Sequence, residues 1–123
     1  MTKFEFMTST LIATAWLHAF NRHDLEGILA LYHQDAEHYS PKLKIRYPET
    51  SGLIKGKAAL RAWWKDSFQR LPSLQYEVIR LTPFDNRVFM EYTRHVEGEE
   101  DLVVGEMLEV KDGLIVKSRV FHS

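Results

Sequence analysis

The hydrophobic pattern of the chain changes its period at Pro72. Beyond this residue polar and apolar residues alternate, which is typical of strands that bury one face. The alternation occupies residues 73–83, 87–97, 101–111 and 114–122. Asp112-Gly113, between the last two stretches, is the strongest hairpin signal in the chain. The second half of the chain is therefore predicted to form an antiparallel meander.

Before Pro72, apolar residues recur at the spacing of amphipathic helices. A first helix is predicted to begin at residues 8–10 and to end before Asp24, whose carboxylate can cap a second helix. The second helix is predicted to end at residues 35–36. A first strand over residues 37–40 follows, and it is closed by a proline that cannot donate a hydrogen bond to a sheet.

A third helix is predicted between Gly56 and Pro72, while residues 41–55 are predicted to form a loop across the mouth of the domain. Three helices followed by a meander predict an α+β fold, with residues 1–123 as one domain. Helices packed on one concave face of a curved, mainly antiparallel sheet would enclose a cone-shaped cavity.

Composition removes several classes of function. The net charge of −1 gives no field that would attract nucleic acid or an anionic membrane, and no apolar run is long enough to span a bilayer. The absence of cysteine excludes disulfides and thiolate chemistry and fits a cytoplasmic protein without a signal peptide. Six histidines show no metal-binding spacing, so neither a metal nor a cofactor is predicted.

Six short motifs follow one another along the chain: Trp16, residues 21–26, residues 31–36, Ser40-Pro41, Gly56-Lys57 with Leu60, and Asp112-Gly113. Their order and spacing make the chain similar to the nuclear transport factor 2-like superfamily, in particular its SnoaL-like and ketosteroid isomerase-like branch. The resemblance implies the cone-shaped fold described above. Because this superfamily hosts isomerases, cyclases, dehydratases and non-enzymatic binders, function has to be argued from the site.

The resemblance also indicates where an isomerase of this branch would keep its catalytic groups. Its general-base aspartate corresponds to Ser40, its oxyanion-hole tyrosine to Trp16, and its protonated aspartate to Glu106. Serine is a poor base and an indole offers one hydrogen-bond donor. Ketosteroid isomerisation by the family mechanism is therefore not expected.

Strand alternation predicts which side chains face the cavity. His38 and Ser40 share one strand face, Glu106 lies on another strand, and Ser118 and His122 share a face of the last strand. For residues 87–97 both faces remain open, and the more apolar face, which carries Tyr92, is chosen as the inward one. The predicted ligand-binding residues are Trp16, Ser40, Trp63, Tyr92, Ser118 and His122, with Trp64 as an alternative wall to Trp63.

Two interpretations of this pocket remain open. In the first, the domain binds a small hydrophobic or cyclic molecule without catalysis, Glu106 is a core residue satisfied by a histidine or an arginine, and His38 lies at the rim of the pocket. In the second, a cofactor-independent isomerase or dehydratase uses His38 as general base and Glu106 as its partner or as a proton donor. A protein-interaction module is a third possibility. The discriminating observation is whether His38 and Glu106 reach one cavity.

Two surfaces complete the predictions. Tyr76, Val78, Phe89, Val103 and Met107 are predicted to form an uncovered apolar sheet face, which indicates a homodimer. The basic residues of the 41–57 stretch either attract an anionic ligand to the cavity mouth or belong to a solvated loop. They are Lys42, Lys44, Arg46, Lys55 and Lys57.

Overall fold

The computed structural model describes residues 3–122, with side chains from residue 8 onward. Four α-helices and six strands lie in this range. In chain order they are α1 (Lys3–Asn21), α2 (Leu25–Leu29), β1 (Tyr32–Tyr39), α3 (Pro41–Arg46), β2 (Leu53–Lys55), α4 (Lys57–Arg70), β3 (Gln75–Phe84), β4 (Arg87–His95), β5 (Leu102–Lys111) and β6 (Leu114–Phe121).

All six strands form one sheet in the order β2-β1-β6-β5-β4-β3. The β1–β6 pair is parallel and the other four pairs are antiparallel. The predicted α+β fold with a mainly antiparallel sheet is confirmed. The parallel pair arises because β6, at the end of the meander, returns beside the strand that follows the first two helices.

The prediction for the second helix and first strand is wrong in its boundaries. Helix α2 ends at Leu29, and β1 begins at Tyr32. Tyr32 is fully buried and pairs with Ile115 of β6, and the register then shifts before Glu37. Tyr32 follows Ile28 at the four-residue spacing of a helix face, and this pattern predicted a longer helix. Tyr32 is instead buried because it lies in an irregular strand that pairs with β6.

The prediction of an irregular loop at residues 41–55 is also wrong. This segment contains α3, a 3₁₀ turn at Pro48–Thr50 and the short strand β2. Ser40 caps α3, and the proline after it takes the first helical position, where a missing N–H costs nothing. The first helix begins at Lys3, ahead of the predicted start at residues 8–10.

Helices α1 and α4 lie on the concave face of the sheet, and the core is largely aromatic. Phe20 of α1 stacks on Tyr76 at 4.1 Å between ring centroids, and Tyr76 stacks on Tyr92 at the same distance. Tyr76 pairs with Arg94, whose side chain is buried, and Val78 pairs with Tyr92. The prediction that Tyr76 and Val78 lie on the outer face is therefore wrong, although Val78 is uncovered, as predicted, with 50% of its surface exposed.

The predicted inward faces of β4 and β5 are confirmed. On β4 and just beyond it every second residue is buried, and on β5 the same holds from Val104 to Val110. On β6 a register shift opposite Val110 buries Ile115, after which Ser118 faces inward as predicted. The buried residues of the first set are Val88, Met90, Tyr92, Arg94 and Val96.

Candidate functional site

A cavity of about 330 Å³ lies between the helices and the concave face of the sheet. His38 and Glu106 both line it, so the two predicted catalytic residues share one cavity. Ser118 does not line it. The other predicted residues that line the cavity are Trp16, Ser40, Trp63, Trp64, Tyr92 and His122.

Glu106 is the buried acid of this cavity, with 2% of its surface exposed. Its Oε1 accepts a hydrogen bond of 2.7 Å from the Tyr92 hydroxyl, which projects from the adjacent strand. No described residue hydrogen bonds to its Oε2. Burial raises the pKa of Glu106 to about 7, although the bond from Tyr92 opposes this shift. Glu106 therefore combines a free oxygen with a pKa suited to proton transfer near neutral pH.

His38 ends a chain of buried hydrogen bonds. Trp16 Nε1 donates to the Tyr32 hydroxyl at 3.2 Å, and Tyr32 donates to Ser118 Oγ at 3.0 Å. Ser118 Oγ lies 2.6 Å from His38 Nδ1. Because Tyr32 has used its hydrogen on Ser118, the Ser118 hydroxyl is free to donate to His38, which assigns the hydrogen of a neutral imidazole to Nε2.

Burial also lowers the pKa of His38 to about 4. At neutral pH the ring is therefore uncharged, and its Nδ1 is already engaged by Ser118. This arrangement makes His38 a hydrogen-bond donor through Nε2. The predicted role of general base fits Glu106 better than His38.

Ser40 has a structural task at the cavity wall. It is 4% exposed, and its hydroxyl accepts from the Lys42 backbone N–H at 3.3 Å as the cap of α3. Trp64 packs against His38 with 5.3 Å between ring centroids, whereas Trp63 is half-buried nearer the cavity mouth. His122, just after β6, is half-buried and completes the wall.

Sequence reasoning missed two groups at this site. Tyr32 was assigned to a helix, and only an earlier start of β1 would have placed its hydroxyl near His38. The second group is Arg70, which forms a cationic rim together with Arg94 and with Lys42 and Arg46 of the predicted basic stretch. Lys42 and Arg46 are four residues apart on one face of α3. Four basic residues line the cavity: Lys42, Arg46, Arg70 and Arg94.

Two further features, a metal-binding cluster and a membrane-spanning helix, are absent from the described residues. Among the side chains described, those of residues 8–122, no three histidine, aspartate or glutamate side chains lie close enough together to hold a metal ion. Within residues 3–122, no helix has the length and apolar character needed to cross a membrane.

Comparisons with known proteins agree with this fold. A SnoaL-like protein of unknown function from Burkholderia thailandensis E264 is 25% identical, with 95% of each chain covered and a TM-score of 0.85. A putative ketosteroid isomerase from Kribbella flavida DSM 17836 is 24% identical, covers 97% of this chain and 80% of its own, and has a TM-score of 0.79. TerC, co-crystallized with polyporic acid, is 21% identical, with 94% of this chain and 92% of TerC covered and a TM-score of 0.81.

At identities below 25%, the last two structures show a shared fold alone. No curated protein matches the chain in sequence. The family model of the SnoaL-like domain matches residues 13–118, which is most of the chain. The predicted superfamily is thus confirmed, and the chain belongs to the family of SnoaL-like domains.

Proposed function

We propose that this SnoaL-like domain binds a small hydrophobic or cyclic molecule in the cavity. The observation that carries this proposal is the unpartnered Oε2 of Glu106 inside an aromatic cavity of about 330 Å³. A buried polar atom without a partner is costly, so a ligand that offers it a hydrogen bond gains specificity. The volume lies at the lower end for ligand pockets, which favours a molecule of a few rings.

All three tryptophans of the chain line the cavity. Indole rings provide large apolar walls with a defined geometry, which suits flat cyclic ligands. TerC, which has the same fold, was crystallized with polyporic acid, and this supports the same class of ligand for the present chain.

The test is a titration with N-phenyl-1-naphthylamine, a neutral dye whose fluorescence rises in apolar surroundings. We expect saturable binding that Val104→Phe weakens at least tenfold, because Val104 lines the cavity. Val103→Phe is the matched control, since the adjacent side chain is 65% exposed on the opposite sheet face. Absence of saturable binding, or equal loss in both variants, would refute the proposal.

A second candidate function is proton transfer, either isomerisation or dehydration without a cofactor. The observation that favours it is the raised pKa of Glu106, about 7, together with its free oxygen. Glu106 would take a proton from the carbon beside a ketone and return it at another carbon. His38 Nε2–H would donate to the oxygen on which negative charge develops.

This candidate is tested with 2-tetralone, a bicyclic ketone, in D₂O. We expect the protein to accelerate exchange of the hydrogens beside the carbonyl, as followed by proton NMR. Glu106→Gln should abolish the acceleration, whereas Glu109→Gln on the other face of β5 should retain it. If exchange matches that in buffer, or if Glu106→Gln is as active as the parent protein, the catalytic candidate fails.

We also propose that a second copy of this chain covers the outer sheet face. Phe89 and Phe121 lie there with 6.3 Å between ring centroids, beside the exposed Val103. Phe89 pairs with Met107 across β4 and β5, and the guanidinium of Arg119, which pairs with Met107, lies 5.6 Å from the Phe121 ring. We expect a dimer in sedimentation at micromolar concentration and a monomer for Phe121→Asp. A monomeric parent protein would refute this proposal.

A further inference from the structure

The mouth of the cavity carries an excess of positive charge, although the whole chain has a net charge of −1. Four cationic side chains line the cavity. Two carboxylates form ion pairs with three of them. Asp66 lies 3.3 Å from Arg46 and 2.8 Å from Arg70, and Glu99 lies 2.8 Å from Arg94. The surplus cations are concentrated where a ligand would enter.

Arg94 is the buried member of this rim. It projects inward from β4, is 7% exposed, and donates from Nη1 to Glu99, whose side chain is 45% exposed. Among the described residues Glu99 is its one hydrogen-bond partner. A guanidinium has five N–H donors in a planar fork that fits a carboxylate. Arg94 therefore has further N–H donors at the cavity wall that can bind a ligand.

Lys42 lies close enough to the other cations to respond to their charge. Partial burial, followed by the repulsion from Arg94 and Arg70, lowers the pKa of Lys42, and the attraction of Glu99 opposes this shift. An anion bound between Lys42 and Arg94 would relieve that repulsion. Lys44, on the same helix, does not line the cavity.

We propose that the ligand of this cavity is a cyclic organic acid, with its ring between the tryptophans and its carboxylate against Arg94 and Lys42. This inference rests on the proposed binding function and specifies the ligand class for the same cavity. The ring end of the ligand reaches the buried Glu106, which accepts or donates one hydrogen bond. The cationic side chains thus set the orientation, because the carboxylate stays at the mouth.

The test compares 2-naphthoate with 2-naphthamide, which has the same ring and a neutral group of similar shape. Each competes with N-phenyl-1-naphthylamine for the parent protein. Hydrogen bonds to charged groups predict that 2-naphthoate displaces the dye at a concentration at least about tenfold lower. Equal displacement would overturn the ligand class and leave the binding function intact. Failure of the dye itself to bind would refute both.

Two variants assign the preference to the rim. Lys42→Gln should reduce the ratio between the two competitors about two- to fivefold, because this partly buried side chain remains largely open to solvent, which screens its charge. Lys44→Gln is the matched control on the same helix and should leave the ratio unchanged. Arg94→Gln should bring the ratio close to one, provided that it still binds the dye. A ratio that both lysine variants change equally would overturn the assignment.

Discussion

Glu106→Gln is the substitution for which the structure gives the most defined result. It replaces the buried carboxyl with a neutral group of nearly the same shape, and the amide oxygen can still accept from Tyr92. The pKa of Glu106 is about 7 in the folded protein against 4.5 for the unperturbed side chain. Folding therefore requires Glu106 to keep a proton that the unfolded chain releases between these two pH values.

The sign of the effect follows from proton linkage. The folded state binds more protons than the unfolded state from pH 4.5 to pH 7, so Glu106 makes the free energy of unfolding fall as pH rises through this window. At ~1.4 kcal/mol for each pKa unit, the total is about 3 kcal/mol. Glu106→Gln removes this loss. Relative to the parent protein it should gain up to about 3 kcal/mol above pH 7 and little below pH 4.5.

His38 has the opposite dependence. Its pKa falls from 6.5 to about 4 on folding, so the stability of the neutral imidazole is present above pH 6.5 and is lost as pH falls toward 4. The total is again about 3 kcal/mol. In the parent protein the pH dependences that Glu106 and His38 give to the free energy of unfolding have opposite signs and nearly cancel between pH 4.5 and 6.5. In Glu106→Gln only the dependence from His38 remains, so the free energy of unfolding of this variant should fall as the pH is lowered through this window.

The assay is urea unfolding followed by tryptophan fluorescence at half-unit steps from pH 4 to pH 8.5. The informative curve is the difference in unfolding free energy between Glu106→Gln and the parent protein, because other ionisable groups cancel in it. Glu109→Gln, on the opposite face of β5, is the control and should give a flat difference. A flat or falling difference for Glu106→Gln would refute the argument that burial holds this carboxyl protonated.

Three further predictions concern other residues that line the cavity. Tyr92→Phe removes the hydrogen bond that opposes the raised pKa of Glu106, so the upper end of the difference curve should move above pH 7. Ser40→Ala should cost about 1 kcal/mol in unfolding free energy as a lost helix cap and leave dye affinity within about twofold; a tenfold loss of affinity would mean that Ser40 contacts the ligand. Trp16→Phe should cost about 1–3 kcal/mol in urea unfolding, because the ring shrinks and Tyr32 loses a donor; an unchanged midpoint would contradict this.

The fold was predictable because its evidence is local. The alternation after Pro72 and the Asp112-Gly113 turn fixed four strands to within two residues at each end. The boundaries near Tyr32 were not predictable in this way, because a register shift between Tyr32 and Glu37 breaks the alternation that identifies a strand. The inward face of β3 was predicted wrongly because alternation alone does not tell which of the two faces meets the cavity. The pairing of Tyr76 with Arg94 of β4 places Tyr76 on the cavity side.

The site was predictable only in part because its chemistry depends on contacts between distant strands. Alternation brought His38 and Glu106 to one cavity, but it gave no means of deciding which of them exchanges protons. That distinction comes from Ser118, which occupies Nδ1 of His38, and from the missing partner of Glu106 Oε2. The four-residue spacing of Lys42 and Arg46 became informative once the structure showed a helix there.

The three positions that the isomerase resemblance singles out have diverged in a consistent way. Ser40 uses its hydroxyl to cap α3, and Trp16 uses its single N–H to bind Tyr32. Trp16 has no hydrogen-bond donor left for a ligand oxygen, whereas Ser40 keeps its hydroxyl hydrogen. Glu106 alone retains an unused oxygen in the cavity. Of these three positions, Glu106 is therefore the one that can serve the proposed proton transfer. The pH curve of Glu106→Gln measures the protonation of this carboxyl through the stability of the fold, and the exchange of 2-tetralone measures it through the reaction.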